Sequence, residues 1–237
     1  MNSLISIPVQ SILRIVKAFG DFIYPPYCMS CNTQLHKGTE LICRGCLNQM
    51  PRIHDDYNIM AELKEKLKQD LYISKVVSMW EFEKDIQILI HYLKYNNHRN
   101  IGRILATKMI QELRDHEIFK LTEIIIPVPL HKVRMRKRGY NQSDVLAEKI
   151  SSMIKKPVEK NVLKRVRNTK TQTKLTAVER MKNVGNAFAV NQQEIILNKS
   201  VLLVDDVITT GSTINACALQ LKRHGAAEVY ALSVAKA

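Results

Sequence analysis

Residues 201 to 213 read VLLVDDVITTGST, and the way this stretch divides decides the fold. Val201, Leu202, Leu203 and Val204 form a short continuous apolar run, as expected of a strand covered on both faces in a parallel sheet. Asp205 and Asp206 are expected where that strand leaves the core. Thr209, Thr210, Gly211, Ser212 and Thr213 then make a turn of small, hydroxylated residues around a glycine that lets a ligand come close to backbone. Ile214, Cys217, Ala218 and Leu221 repeat at helical spacing, so a helix with one apolar face starts at the turn. Its free N–H groups and the positive end of its dipole would face an anion placed there. Two carboxylates beside a phosphate repel it unless they bind hydroxyls or a hard cation such as Mg²⁺, so the stretch points to a sugar phosphate with metal. The alternative is a strand–turn–helix corner in which Asp206 or Thr209 merely caps the helix.

A second apolar strand, EIIIPVP from Glu123 to Pro129, closes on prolines that forbid a helix at that point. HKVRMRKR, His131 to Arg138, follows as a basic loop with five Lys or Arg. A loop at the carboxyl end of a parallel strand lies on the same sheet edge as the turn after Val204, where ligands of open α/β sheets collect. Arg134, Arg138 and the Gly139 backbone are thereby brought toward a second anion. Asn141 to Asp144 can cap a helix whose Leu146, Ile150, Met153 and Ile154 point inward. Upstream, Val76 to Phe82 reads as a strand. Ile86, Leu89, Ile90 and Leu93 mark an amphipathic helix ending near Lys94, and Ile101 to Leu113 makes another. Ala227 to Val234 supplies a final strand.

The 237 residues, 46% hydrophobic, can bury one α/β core and leave room for a small extra module. No apolar run approaches a membrane span. The first residues lack a basic n-region and a small-residue cleavage site, so no signal peptide is expected. Residues 1–24 are expected instead to form an amphipathic helix around Ile12, Ile15, Phe19 and Phe22, docking on its own protein or on a membrane surface. Residues 51–72, charged and weakly helical, read as a linker to a main domain at 73–237.

In residues 25–50, Cys28-x2-Cys31 and Cys43-x2-Cys46 are two knuckles separated by eleven residues. Four thiolates at this spacing can close a tetrahedral site around structural Zn²⁺. An iron–sulfur cluster or a redox dithiol pair would use the same residues, and unbound cysteines are the bland alternative. Asn32 and Gly45 tolerate the positive φ such turns need, and His36 lies between the knuckles as a spare ligand or an exposed loop residue. Disulfides are not expected, with no signal sequence and with a fifth cysteine, Cys217, on an apolar helix face.

The formal net charge is +14, and eight Lys or Arg between Lys155 and Lys174 face a single acid, Glu159. Such clusters attract polyphosphates or nucleic-acid backbones, although many are only solvated surface. Aromatic content of 6% leaves no obvious stacking platform for single strands.

The VLLVDDVITTGST stretch resembles, position by position, the phosphoribosyl pyrophosphate (PRPP) motif of the type I phosphoribosyltransferases. The HKVRMRKRGYNQ segment resembles their pyrophosphate-binding loop. PVPLHKVRMRKRGYNQ, RVRNTKTQTKL from Arg165 to Leu175, ERMKNVGNAF from Glu179 to Phe188, HYLKY ending at Tyr95 and the cysteine module together resemble one branch, the ComF family. That resemblance implies a type I phosphoribosyltransferase fold, a mostly parallel α/β sheet flanked by helices, with a small N-terminal four-cysteine zinc module. It implies a cytoplasmic protein connected with DNA uptake during natural transformation.

It also implies PRPP binding by Asp205, Asp206, Val207, Thr209, Thr210, Gly211, Ser212, Thr213, Arg134, Arg138, Gly139 and Lys94, with Mg²⁺ arriving with PRPP. The acids would hold the ribose hydroxyls and help hold the metal through water, the turn would hold the 5′-phosphate, and Asp205, Asp206 and Arg138 would carry catalysis. For Lys94 an ordinary surface lysine at a helix end is the alternative. Arg165 to Leu175 is a candidate hood over substrate. No cysteine glutaminase domain precedes the module, which argues against a glutamine-dependent reaction. Two readings stay open: a phosphoribosyltransferase of unknown acceptor, and a non-catalytic factor that binds single-stranded DNA electrostatically and works with other competence proteins.

Overall fold

The computed structural model describes residues 27–35, 41–53, 58–167 and 187–237. The expected N-terminal helix, His36, most of the candidate hood and residues 179–186 lie outside the described residues. The chain divides into two compact units, Met1–Met50 and Pro51–Ala237.

In the first unit, the chain turns at Cys28–Thr33, where the Cys28 N–H donates to Thr33 O and the Asn32 N–H to Cys28 O, both at 2.8 Å. Asn32 takes φ +59° to close that turn. Gly45 needs no such freedom. It sits inside a short helix, α1 (Arg44–Gln49), whose N-cap is Cys43.

The second unit is built on a four-stranded parallel sheet in the order β1-β6-β5-β2. Its strands are β1 (Lys75–Glu81), β2 (Ile124–Pro127), β5 (Ser200–Ile208) and β6 (Glu228–Lys236). A two-stranded antiparallel pair, β3 (Leu163–Arg165) and β4 (Phe188–Val190), stands apart from that sheet. The helices are α2 (Ile59–Leu67), α3 (Lys84–Tyr95), α4 (Arg99–Glu112), α5 (Glu117–Leu121), α6 (Lys132–Arg138), α7 (Gln142–Ile154) and α8 (Ser212–Arg223). No helix among the described residues is long and apolar enough to cross a membrane.

β5 is central because it is apolar on both sides. Val201, Leu202, Leu203 and Val204 are all fully buried, and pairing with β2 on one side and β6 on the other satisfies their backbone groups. On one face Val201 and Leu203 join Ile124, Ile126, Val229 and Ala231 in a cluster closed by Ile214, Cys217, Ala218 and Leu221 of α8. Each such side chain contributes roughly 1.5–3 kcal/mol by leaving water.

Three features depart from expectation. First, β5 runs on to Ile208, so Asp205 and Asp206 lie within the strand and are buried, at 9% and 4% exposure. Second, His131–Arg138 is no loop: Lys132–Arg138 is helical, capped by the His131 side chain at its start and by left-handed Gly139 (φ +79°) at its end. Three of its cations fall in the last turn, where the helix dipole favours them. Third, residues 58–72 are part of this unit rather than a tether. Ile59 and Leu63 of α2, one helical turn apart, and Ile73 are buried in the same cluster as α8.

Candidate functional site

β5 and β2 end on one sheet edge, since Ile124 to Pro127 register with Val201 to Val204. The chain leaving β5 makes the turn Thr209–Gly211 and enters α8, and the chain leaving β2 enters α6 and then α7. Both stretches expected to meet an anion therefore begin at carboxyl strand ends, the position ligands take in such sheets.

The turn is preset by packing from beneath. Gly211 has φ +78°, which strains any other residue there, and a Cβ would lie 2.8 Å from Leu63 Cδ2, so the leucine end would have to shift. Gly211 is the N-cap of α8 and neither Asp206 nor Thr209 caps the helix. Thr210 Oγ1 and Ser212 Oγ lie 2.8 Å apart, and the Ser212 N–H reaches Thr210 Oγ1 at 3.4 Å. Thr209 and Thr210 are exposed, Val207, Ser212 and Thr213 half-buried. Behind the turn, Asn215 accepts from the Tyr72 N–H at 2.8 Å and donates to Asp70 O at 3.0 Å. The segment read as linker thus braces the first turn of α8.

The carboxylates differ in what holds them. Asp205 Oδ1 accepts from the Ser143 hydroxyl at 3.0 Å and from the Asp206 N–H at 2.9 Å. Asp206 Oδ1 accepts from the Val207 N–H at 2.9 Å, and its Oδ2 lies 2.7 Å from Lys94 Nζ. Lys94, in the last turn of α3, is thus not an ordinary surface lysine: it neutralises a buried acid. Burial, then the charge of Asp206, pushes the Asp205 carboxyl up to about 7. A carboxyl raised on folding favours its protonated form. Its stabilising contribution is therefore fully present below the ordinary value of 3.8 and is lost as pH rises to about 7. Urea unfolding of the ligand-free chain across this window should show stability falling with pH, and Asp205→Asn should flatten that fall; an unchanged slope would contradict it.

The basic face is assembled less tightly. Arg138 donates to Gln142 Oε1, and its guanidinium carbon lies 5.4 Å from the centre of the Tyr95 ring. Arg134 is exposed on α6, and no described polar contact draws it to the carboxylates. It is felt by Arg165, which burial first and Arg134 second hold below the usual guanidinium range. Tyr140 donates its hydroxyl to Leu93 O, next to Lys94. Burial pushes the Tyr140 phenol up.

Several contributors carry no sequence signal of their own. Ser143 reads as part of a helix cap, Leu63 as a linker residue and Asn215 as the polar face of a helix. Only the tertiary fold brings them to the turn and the acids.

In the first unit, the Sγ atoms of Cys28, Cys31, Cys43 and Cys46 all lie within 4.8 Å of one another, with Cys31 and Cys43 at 3.7 Å. Zn–S bonds of about 2.3 Å in a tetrahedron put sulfurs about 3.8 Å apart, so the cluster has the size of a zinc site. The Cys43 N–H donates to Cys28 Sγ at 3.3 Å and the Cys46 N–H to Cys43 Sγ at 3.4 Å, contacts that favour thiolates. Without a cation the thiols cannot all ionise together. Thr33 first, and then backbone and neighbouring thiols, bring Cys31 down to about 6. Cys46, although a hydrogen bond with Ser30 lowers it, is pushed by burial and the other three sulfurs up to about 12.

Comparison with known proteins agrees with this geometry. Residues 99–237 match the phosphoribosyl transferase domain family. Competence protein F of Haemophilus influenzae is 36% identical over 223 residues, 89% of this chain and 96% of that protein. The DNA utilization protein YhgH of Salmonella typhimurium is 34% identical over 158 residues, 65% of this chain and 69% of that protein. Competence protein ComFC of Bacillus subtilis is 24% identical over 213 residues, 84% of this chain and 79% of that protein. With a parallel sheet carrying two acids and a glycine turn at its ligand edge, and with four cysteines gathered ahead of it, the chain belongs to the ComF family and has the type I phosphoribosyltransferase fold.

Proposed function

We propose that the chain binds PRPP at the carboxyl end of β5 and transfers its phosphoribosyl group to an acceptor in the handling of incoming DNA. The observation that carries this reading is the adjacency of Asp205 and Asp206 to the braced turn at Thr209–Thr213. That turn offers backbone N–H groups and hydroxyls to a 5′-phosphate, and the acids offer acceptors to ribose hydroxyls. Displacement of pyrophosphate from C1 passes through a cationic ribose, and negative charge builds on the departing group. Lys94 stands beside Asp206 and brings a positive charge to the acids' side of the site. Arg138, and Arg134 from the exposed face of α6, add fixed positive charge on that side. Mg²⁺ arriving with PRPP would add charge neutralisation on that side. The names of the relatives, a competence protein and a DNA utilization protein, support the connection to DNA, and work with other competence proteins follows from it.

The cysteine cluster is proposed as a structural zinc site, on its size and four-thiol donor set. All five cysteines are free thiols, which suits a cytoplasmic protein.

A second reading is favoured by one observation. α6 carries five cations, and beside it Tyr95 is 64% exposed under Arg138, an exposed aromatic at a basic surface. A single-stranded nucleic acid could lie there without any transfer. The test is pyrophosphate release from PRPP by the purified chain with fractionated small-molecule and nucleic-acid acceptors. Release that Asp205→Ala abolishes is expected. Salt-sensitive DNA binding that survives Asp205→Ala, with no release under any condition, would select the second reading.

A further inference from the structure

We infer that Ser143 is a positioning residue for the phosphoribosyl site: its hydroxyl fixes the Asp205 carboxylate so that one oxygen is left for the ribose. The inference rests on the PRPP reading and extends it to a residue that neither the motif nor the turn includes.

Ser143 is fully buried in the first turn of α7, and its place there is enforced from three sides. Asn141, the N-cap, accepts from the Ser143 N–H at 3.3 Å. The same Asn141 amide donates to Val128 O at 3.0 Å and to Asp144 Oδ1 at 2.7 Å, so the helix start is bolted to the end of β2. Val128 in turn donates to Val204 O at 2.9 Å, one residue before Asp205. The Tyr140 hydroxyl meanwhile holds Leu93 O, beside Lys94. A single five-residue segment, Tyr140 to Asp144, therefore orients one of the two acids and sits against the residue that precedes the lysine paired to the other.

With its N–H already engaged, Ser143 has one proton left to give, and gives it to Asp205 Oδ1. The Asp206 N–H gives a second to the same oxygen. Both donors are aimed at Oδ1, so Oδ2 is the oxygen free to accept from a sugar hydroxyl. Two donors also favour the ionised carboxylate in a buried place that otherwise opposes it. Removing the serine proton leaves one donor, and the carboxylate loses both its fixed rotation and part of what keeps it an acceptor.

The test is calorimetric titration of wild type and Ser143→Ala with two probes in the presence of Mg²⁺: PRPP, which carries the ribose, and inorganic pyrophosphate, which does not. Ser143→Ala is expected to weaken PRPP binding by about tenfold, the scale of one hydrogen bond to a charged group, with pyrophosphate binding unchanged. Equal affinity for PRPP in both proteins would overturn the assignment. So would equal losses on both probes, or a variant that fails to fold, because Ser143 would then hold the helix rather than the carboxylate. Absence of PRPP binding by the wild-type chain would overturn the PRPP reading itself, an outcome distinct from binding that is indifferent to Ser143.

Discussion

Leu63→Ala is expected to lower the unfolding free energy by about 3 kcal/mol and to weaken PRPP binding as well. Leu63 has no exposed surface, and it fills the space under Gly211 that a Cβ there would need. Truncation leaves a cavity below the turn rather than at a remote point of the core. The turn is then free to sag, and the N–H groups that should meet a phosphate lose their fixed spacing. Urea denaturation gives the first number: the midpoint should fall with the slope unchanged. A loss below about 0.5 kcal/mol, the range of ordinary surface substitutions, would mean that α2 does not brace the site.

The second large effect concerns the cysteine unit. Among its described residues the buried apolar side chains are chiefly Leu35, Ile42, Leu47 and Met50, and the four thiols lie among them in the chain. Zinc bound by four thiolates would supply stability that for such sites is on the order of 10 kcal/mol or more. Chelation is therefore expected to release one equivalent of zinc and to make four thiols reactive at once. Cys217 stays unreactive until the main unit unfolds, since it is fully buried and burial pushes its thiol far up. Thiol titration with a coloured reagent, before and after chelator, counts them. Four thiols that react as quickly before chelation as after it would exclude a closed zinc site.

What could be read from the sequence follows from which interactions are local. The β5–turn–α8 unit is legible because its apolar run, acids and small residues are contiguous, and the same holds for the paired cysteine knuckles. Lengths were harder: a strand that carries two acids at its end does not look like a strand there, yet β5 extends through Asp205 and Asp206 to Ile208. The ladder to β6, with Asp205 opposite Ser233 and Val207 opposite Ala235, keeps the backbone extended where the side chains alone would end it. The basic stretch reads as a loop for a similar reason. Five cations in seven residues suggest open chain, but His131 at one end and Gly139 at the other cap a helix. Lys94 apart, the residues that brace the acids and the turn from elsewhere in the chain carry no local signal. Ser143 lies 62 positions from Asp205, and Asn215, which braces the turn, lies 143 positions from Tyr72. Such contacts exist only once the sheet has formed.

Lys94 sits between these cases. Its place at a helix end made it an ordinary surface lysine or a ligand-binding one on equal grounds. The fold puts its ammonium 2.7 Å from Asp206 Oδ2, which requires any cation or hydroxyl approaching that oxygen to replace or share it.

The central claim is that Asp205, Asp206 and the turn at Thr209–Thr213 form a PRPP site. Titration calorimetry of the purified chain with PRPP, with and without Mg²⁺, tests it most directly when repeated on the Asp205→Asn, Asp206→Asn double variant. Binding that Mg²⁺ strengthens and the double variant loses is the predicted result; no heat at millimolar PRPP, or equal binding by both proteins, would contradict it.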